Sequence, residues 1–430
     1  MMTLQLIPEN ENRLSSFATR YLGIDFTSNN GIKPCKVSFS AKKTREDIKN
    51  LQKELRSKLN FFQQNENLIL QNPEDTQYNI TKQLCEIMKY LENLKSFRKQ
   101  ERYINTYPHF TTKIDKIDIH FIYVKPDCTD KYVVPLLMLH GWPSSVIEFY
   151  NIIPLLTAQR EASNFVFEVI VPSLPGFGFS GVPKKQDDDL TCESIGDILI
   201  KLMKKLNRNQ FYIHCDDWSS LIAATMAMNH PENILGVHYV LCHVTHWLSL
   251  SEYLLETINR RNALEKDSIQ LTHKYDKISP STSINTLLLS LMNSPVSLLA
   301  YMLDKLLNGS RNPHKVSILK YGYSAFFSNI LMHCPTNNIC NSLQAYYRYH
   351  KFNYYMDLIV TKDIFTAVTF ILPEELKTIE ENIVEKENKT FSFIYKFTSR
   401  FPACEDSMEM ASAIVDHFKK HLVVGQANQE

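Results

Sequence analysis

Apolar runs that alternate with helix-like segments constrain the fold of this 430-residue chain more than any other feature. The runs "VVPLLMLHGW" and "FVFEVIVPSL" are almost continuously apolar and end in turn residues, as strands buried on both faces of a sheet do. The segments "QFYIHC" and "ILGVHYVLC" continue the series, and the helix-like segments "SSVIEFYNIIPLL", "SIGDILIKLMKKLN" and "SSLIAATMAMNH" lie between the runs. This alternation predicts an α/β fold with a mostly parallel central sheet.

The alternation is interrupted twice along the chain. From Lys36 to about Tyr107 the pattern is mostly helical, which predicts an N-terminal helical arm. From about Thr245 to Asn353 the sequence is again helical and rich in aromatic residues, before "IFTAVTFIL" and "TFSFIYKF" resume the strands and "MEMASAIVDHFKKHL" closes the chain with a helix. We therefore expect four segments: an N-terminal segment with the arm (1–115), a first core part (116–246), a helical lid (247–355) and a second core part (356–430).

Composition restricts the class of ligand and the compartment. The net charge is +1, which gives no field that would gather nucleic acid or an anionic membrane. The N-terminus has neither a bilayer-length apolar run nor a signal-peptide core, so the sequence alone predicts a soluble, cytoplasmic protein. The nine cysteines include no CxxC pair, and their odd number favours free thiols in a reducing compartment. A small-molecule site is the expectation that remains.

Two adjacent aspartates stand where a predicted strand turns into a helix. In Cys215-Asp216-Asp217-Trp218-Ser219, small residues lie two positions before and two positions after Asp217, as a tight nucleophile elbow requires. Asp217 is therefore a candidate nucleophile, which would form an ester while the backbone N–H of Trp218 stabilises the ester oxygen. The alternative is an aspartate that caps the following helix.

The turn His140-Gly141-Trp142-Pro143 follows another buried strand. In hydrolases with an elbow of this kind, the second oxyanion-hole donor lies after such a strand, which makes the backbone N–H of Trp142 the candidate. A simple strand-ending turn would explain this segment taken singly. The two segments reinforce each other, because ligands of open α/β sheets bind beyond the carboxyl ends of the strands.

Four ordered segments resemble one family. "YPHFTTKIDKIDIHFIYVKP", "HGWPSSVIEFYNIIPLL", "SLPGFGFSG" and "FYIHCDDWSSLIAA" are similar to the microsomal-type epoxide hydrolases, the branch that includes insect juvenile hormone epoxide hydrolases. The similarity runs from about Ile32 to the C-terminus. It implies an α/β-hydrolase fold with a helical lid and an N-terminal arm, and a reaction in which an aspartate opens an epoxide, lid tyrosines donate to its oxygen, and a histidine held by an acid activates water.

The resemblance assigns these roles to individual residues. Asp217 falls on the nucleophile, and Trp142 and Trp218 fall on the oxyanion hole. The usual flanking glycines are replaced by Cys215 and Ser219, and we expect their side chains to crowd the elbow.

Other assignments leave alternatives open. One lid tyrosine falls on Tyr346, with Tyr347 and Tyr349 as neighbours that a small shift would select. For the second lid tyrosine, Asp276 stands opposite the family's residue, and Tyr275 takes the role only if the register moves by one. Packing within the lid is the alternative explanation of these aromatic residues. The acid partner falls on Glu374 or equally on Glu375, although two glutamates at a helix start also favour the helix dipole.

The histidine of the family is missing from its expected place. The family's "GGHFAAFE"-like turn corresponds to "TSRFPACE" here, so Arg400 stands where the histidine would. A guanidinium stays protonated and cannot act as a general base. The resemblance therefore predicts that alkylation of Asp217 still occurs while release of the diol is slow or absent. A pairing of Arg400 with Glu374 or Asp217 would favour binding over catalysis.

Two functions of different classes follow. The first is an epoxide hydrolase that acts on a lipophilic small-molecule epoxide of juvenile hormone or xenobiotic type, with impaired turnover. The second is a catalytically silent relative that binds or sequesters an apolar ligand, and another aspartate-nucleophile hydrolase such as a dehalogenase is a weaker third. We expect no metal, cofactor or nucleic acid. Residence at the endoplasmic reticulum membrane is implied by the resemblance alone.

Overall fold

The structure of the protein is a computed structural model. The residues that it describes are 4–8, 31–39, 41–64, 80–93, 96–128, 130–160, 163–183, 190–241, 284–308, 322–333, 338–351, 364–370, 391–396 and 402–427.

Ten strands form one twisted, mixed sheet. They are β1 (Leu4–Pro8), β2 (Lys33–Phe39), β3 (His109–Ile114), β4 (Ile117–Val124), β5 (Tyr132–Leu139), β6 (Phe165–Pro172), β7 (Phe211–Asp216), β8 (Ile234–Leu241), β9 (Phe365–Phe370) and β10 (Phe391–Lys396). Their order in the sheet is β1-β2-β3-β4-β6-β5-β7-β8-β9-β10. The pairs from β6 to β10 are parallel, and the pairs from β1 to β6 are antiparallel. The predicted α/β class with a mostly parallel core is confirmed.

The strand order places a ligand-binding crevice beside β5. The chain passes from β5 to β6 on one side and then returns to β7 on the other side of β5. At such a reversal the helices leave on opposite faces and open a crevice beyond the carboxyl ends of the two central strands. Both central strands are fully buried toward their carboxyl ends, as their apolar sequences predict.

Helices cover the sheet and extend beyond it. They are α1 (Ala41–Gln64), α2 (Ile80–Glu92), α3 (Arg98–Ile104), α4 (Ile153–Thr157), α5 (Cys192–Lys205), α6 (Ser219–Asn229), α7 (Ile284–Asn293), α8 (Pro295–Asn308), α9 (Tyr323–His333), α10 (Asn338–Lys351), α11 (Pro402–Glu405) and α12 (Ser407–Ala427). Helices α7 to α10 lie between β8 and β9 in the sequence, within the predicted lid. The segment limits at 115, 246 and 355 remain predictions.

The helices of the N-terminal region begin later than the sequence pattern indicates. The pattern predicts helix from Lys36, but residues 36–39 belong to β2, which pairs with both β1 and β3, and the first described helix begins at Ala41. The side chain of Asn105 fixes β2 by binding both the N–H and the C=O of Val37, each at 2.8 Å. These pairings join residues far apart in the chain, so the local pattern does not reveal them.

The segment "SSVIEFYNIIPLL" also differs from the single helix that its pattern predicts. It forms a 3-10 turn at Val146–Phe149 and then the short helix α4. The hydroxyl of Ser145 accepts the N–H of Ile147 at 3.3 Å and starts the turn, while a proline occupies the first turn of α4. The break points the side chain of Glu148 into the protein, where it is fully buried.

None of the described helices combines the length and the apolarity that a bilayer crossing requires.

Candidate active site

Asp217 occupies the turn between β7 and α6 with a left-handed backbone (φ 54°). Few residues with a side chain adopt this conformation, and such strain persists only where the surroundings enforce it. Here the N–H of Asp217 donates to the carbonyl of Val240 on β8 at 3.3 Å, and its carbonyl accepts the N–H of Ser220 at 3.0 Å. The turn therefore has the geometry of a nucleophile elbow, with the Asp217 side chain at the carboxyl end of the sheet.

The replacement of both flanking glycines does not disrupt this elbow, contrary to the expected crowding. The hydroxyl of Ser219 accepts the N–H of Asp216 at 3.1 Å and donates to the carbonyl of Leu139 at 2.9 Å. The thiol of Cys215 is buried against the carbonyl of His238 at 3.6 Å. The added side chains bond the elbow to β5 and β8 instead of distorting it.

The turn after β5 meets the carboxylate of Asp217. The backbone N–H of Trp142 donates to Oδ2 of Asp217 at 3.0 Å. Gly141 makes this approach possible, because a Cβ at that position would lie 2.7 Å from Cβ of Asp217. The predicted pairing of Trp142 with Asp217 is thus present in the geometry. Trp218 directly follows Asp217 and precedes α6, and its role as the second donor stays a prediction.

His140 is a neutral imidazole that holds in place the turn of residues 141–143, called the oxyanion turn after the role predicted for it. Its Nε2 accepts the N–H of Leu174 at 3.2 Å, which leaves Nδ1–H to donate to the carbonyl of Gly141 at 3.1 Å. Burial lowers the pKa of His140 to about 4, so the ring stays uncharged at neutral pH. The side chain of Glu148 also holds this turn, because its Oε2 accepts the N–H of Gly141 at 3.4 Å.

Aromatic rings form an apolar wall beside Asp217. The ring of Phe177 stacks on Trp218 with 5.4 Å between centroids and meets the edge of Trp142 at 6.1 Å. Phe177 belongs to the "SLPGFGFSG" segment, which follows β6. Both tryptophans are almost fully buried. Such a wall suits an apolar ligand.

The lid helices complete the wall. Tyr346 of α10 is buried, with its ring centroid 5.8 Å from that of Trp142. Of the two neighbours that a small shift would select, Tyr347 is half-buried and the side chain of Tyr349 lies outside the described residues. Among the three, the described geometry favours Tyr346 as the tyrosine next to the oxyanion turn.

Two lid residues near Trp142 are absent from the sequence-based assignments. The hydroxyl of Tyr301 on α8 accepts the indole N–H of Trp142 at 3.2 Å. His333 on α9 packs edge-on to the same indole at 5.4 Å, and burial lowers the pKa of its imidazole to about 4. Both residues lie in helices with ordinary amphipathic patterns, so only the tertiary packing identifies them. The one signal for them in the sequence is an aromatic side chain with a polar group on an otherwise apolar face of the helix.

The other assigned residues lie outside the described part of the chain. These are Tyr275, Asp276, Glu374, Glu375 and Arg400. Only the end of the family's histidine turn is described, where Ala403 is buried in α11. The structure therefore brings together Asp217, Trp142, Trp218 and Tyr346, while the acid and the position of the histidine remain predictions.

Family models agree with this architecture. A model described as "Epoxide hydrolase N terminus" matches residues 32–149. A second, described as "alpha/beta hydrolase fold", matches residues 134–253 and so includes both the oxyanion turn and the elbow.

Individual epoxide hydrolases match this chain over longer spans than the family models do. Juvenile hormone epoxide hydrolase 1 of Ctenocephalides felis is 30% identical over 72% of this chain and 70% of its own length. Juvenile hormone epoxide hydrolase 2 of the same organism is 28% identical over 83% of this chain and 82% of its own. The crystal structure of juvenile hormone epoxide hydrolase from the silkworm Bombyx mori superposes with a TM-score of 0.66 at 26% identity, covering 92% of this chain and 95% of that one. This chain therefore has the α/β-hydrolase fold and belongs to the epoxide hydrolase family.

Proposed function

We propose that this protein attacks lipophilic epoxides through Asp217 and forms an aspartyl ester. One observation carries the proposal: the carboxylate of Asp217 lies at a left-handed elbow and accepts the N–H of Trp142 at 3.0 Å. A capping aspartate would instead accept N–H groups of its own helix. The contact with the opposite turn supports a nucleophile.

The reaction follows from the groups around Asp217. One carboxylate oxygen forms a bond to an epoxide carbon as the C–O bond of the ring breaks, and the released oxygen takes the phenolic proton of Tyr346. The phenolate then recovers a proton from solvent. Oδ2, which already accepts the N–H of Trp142, becomes the ester carbonyl oxygen. The same N–H is then in position to stabilise an oxyanion when water attacks the ester.

The substrate class follows from the wall and from the relatives. Aromatic rings surround the carboxylate, and the bulk of a ligand there would contact apolar surface. Relatives named as juvenile hormone epoxide hydrolases match most of the chain. Both points favour a lipophilic epoxide of juvenile hormone or xenobiotic type. Association with the endoplasmic reticulum membrane is a further proposal, which cell fractionation tests.

Release of the diol is the step in doubt for this chain. Hydrolysis of the ester needs a base that removes a proton from water, and the resemblance places Arg400 where that base stands in the family. We therefore expect the ester to accumulate. The same substitution favours a second candidate, a silent relative that holds an apolar ligand without reacting.

The test is intact-protein mass spectrometry after incubation with excess lipophilic epoxide, beside analysis of the products. A stable mass increase of one whole epoxide in the wild-type protein, absent in Asp217→Asn, is the expected result. Asp118→Asn is the matched control, since it changes an exposed carboxyl on β4 and should still form the adduct.

Each other outcome has a distinct meaning. Diol without a lasting adduct, lost in Asp217→Asn, would retain the nucleophile and overturn the prediction of impaired turnover. Neither adduct nor diol, with saturable binding of the epoxide, would favour the binding protein. An adduct of equal yield in Asp217→Asn would exclude Asp217 as the nucleophile.

A further inference from the structure

A buried carboxyl group lies directly beneath the oxyanion turn. Glu148, in the 3-10 turn Val146–Phe149, has no solvent exposure, and its Oε2 accepts the N–H of Gly141 at 3.4 Å. No N–H or O–H group of the described residues donates a hydrogen bond to its Oε1. An isolated charge in such a place would be strongly destabilised, so the state of this carboxyl needs a specific partner.

That partner is the carboxyl of Asp216, the first aspartate of the elbow. Asp216 ends β7, is almost fully buried, and its carboxyl lies within hydrogen-bonding reach of the side chain of Glu148. Ionised carboxylates are acceptors only, so a hydrogen bond between two carboxyl groups requires a proton on one of them. The adjacent charge of Asp217 also disfavours ionisation of Glu148.

The elements packed around Glu148 supply other polar groups. The hydroxyl of Ser144 lies close to its carboxyl, and the thiol of Cys404 on α11 donates to its backbone carbonyl at 3.0 Å. The imidazoles on the elements around it are His140, His214 of β7 and His333 of α9, and burial lowers the pKa of all three. No lysine or arginine among the described side chains interacts with Glu148, so a shared proton takes the place of a counter-ion.

We propose that Glu148 and Asp216 share one proton and act as positioning residues, which hold the amides of Gly141 and Trp142 against the carboxylate of Asp217. Glu148 joins the two turns because it accepts the Gly141 N–H and also lies against the carboxyl of Asp216. The effect on reactivity rests on the proposed function, while the shared proton is a property of the folded chain.

The arrangement has a consequence for pH dependence. When the shared proton is lost, two buried negative charges lie against each other beside a third. Their repulsion displaces Gly141, and with it the Trp142 N–H that Asp217 uses. The rate of alkylation should therefore fall at alkaline pH.

The test compares the pH profile of single-turnover alkylation in several variants. Glu148→Gln replaces the shared proton by a permanent amide N–H, so it should keep the rate at neutral pH and lose the alkaline fall. Glu148→Ala breaks the link at every pH and should lower the rate roughly 100-fold, since small displacements of reacting groups have effects of that order. Glu168→Gln, which changes a buried glutamate on β6, should keep the alkaline fall. An alkaline fall that persists in Glu148→Gln would overturn the positioning role.

Two further readouts do not need a reactive protein. Infrared spectroscopy should show a protonated carboxyl band at neutral pH that Glu148→Gln removes and Glu168→Gln retains. Unfolding should also respond: burial raises the pKa of Glu148, so the folded state keeps a proton that the unfolded chain releases. Stability is then full below the ordinary glutamate pKa and lost as the pH rises through the folded value, and Glu148→Gln should lack that loss. If no adduct forms at any pH, the proposed function fails, and these readouts still decide the proposal: without the band or the pH-linked loss, the shared proton is refuted.

Discussion

Asp217 has a left-handed backbone although it carries a side chain, and the groups that enforce this conformation come from β5, the turn after β5, β8 and the start of α6. Val240 accepts its N–H, Ser219 joins the elbow to Leu139, and Trp142 holds its carboxylate. Local sequence predicts the elbow because small residues flank Asp217. It does not predict that Glu148 is buried, since a glutamate in an amphipathic segment ordinarily faces solvent. The one hint is the position of Glu148 within an apolar run.

Gly141 is the residue whose size the elbow tolerates least. In Gly141→Ala the new Cβ would lie 2.7 Å from Cβ of Asp217, so one of the two turns must move. We expect a loss of about 1–3 kcal/mol in the free energy of unfolding and a roughly 100-fold slower alkylation. Denaturant unfolding and timed mass spectrometry measure the two effects.

The matched control for this change is Gly181→Ala, whose Cβ would meet its neighbours at 3.5 Å or more. It should leave both quantities close to wild type. Equal effects of the two substitutions would show that the close approach of Gly141 to Asp217 is unimportant.

Tyr346 is expected to supply the proton that the opening epoxide takes. Tyr346→Phe keeps the ring that packs against Trp142 and removes only the hydroxyl. Alkylation should slow by about 10²–10⁴-fold, the usual contribution of a positioned proton donor. Tyr347→Phe, one residue along α10, should change little; the reverse order of effects would move the assignment to Tyr347.

At the level of elements, long-range contacts explain where sequence patterns and structure diverge. The strands β5 to β8 follow from their apolar runs, because each run is largely buried on both faces of the sheet. β1 and β2 do not, since antiparallel pairing with a distant partner decides their state. The same reasoning applies to Tyr301 and His333, which only the docking of α8 and α9 brings to Trp142.

Asn338 ties the start of α10 to the core. Its side-chain amide donates to the carbonyls of Gly178 at 2.9 Å and Ser180 at 2.8 Å, in the loop that carries Phe177. Asn338→Ala leaves two carbonyls without this donor, and we expect it to lower the free energy of unfolding by about 2–3 kcal/mol.

Denaturant unfolding measures this loss, with Gln344→Ala on the exposed face of the same helix as the control. The control should stay within about 0.5 kcal/mol of wild type. A similarly small effect of Asn338→Ala would mean that the helix does not depend on this contact.

Across the whole molecule, neutral histidines are distributed through the core. His109 and His120 lie 2.8 Å apart between ring nitrogens, and His214 and His238 lie 2.9 Å apart. Within each hydrogen-bonded pair one ring nitrogen must donate and the other must accept. The accepting nitrogen carries no proton, so the two imidazoles of a pair cannot both be charged. Protonation of either pair would place like charges in contact.

These histidines should make the fold sensitive to mild acid. Burial lowers the pKa to about 4 in His109, His140 and His333, and to about 3 in His238. The unfolded chain binds these protons first, so stability is full above pH ~6.5 and falls as the pH drops toward the folded values, by up to about 1.4 kcal/mol per pH unit for each group.

Melting temperatures of the Glu148→Gln variant between pH 8 and pH 5 test this prediction, because the variant lacks the buried carboxyl whose proton binding would overlap, and ordinary carboxylates contribute little to proton uptake in that range. We expect a plateau down to about pH 6.5 and a steady decline below it. A melting temperature that stays constant from pH 7 to pH 5 would contradict the prediction.

One amide joins the lid to the oxyanion turn. Asn329 of α9 donates to the carbonyl of Pro143 at 3.0 Å and accepts the hydroxyl of Ser145 at 2.5 Å, on either side of the residue that follows the proline. An interaction that holds α9 in this position therefore also holds the Trp142 N–H in place. Coupling between two sites is reciprocal, so a ligand group that accepts this N–H should favour the seated helix to the same extent. Binding of a ligand beside Asp217 and the position of α9 against this turn would then be set by one equilibrium.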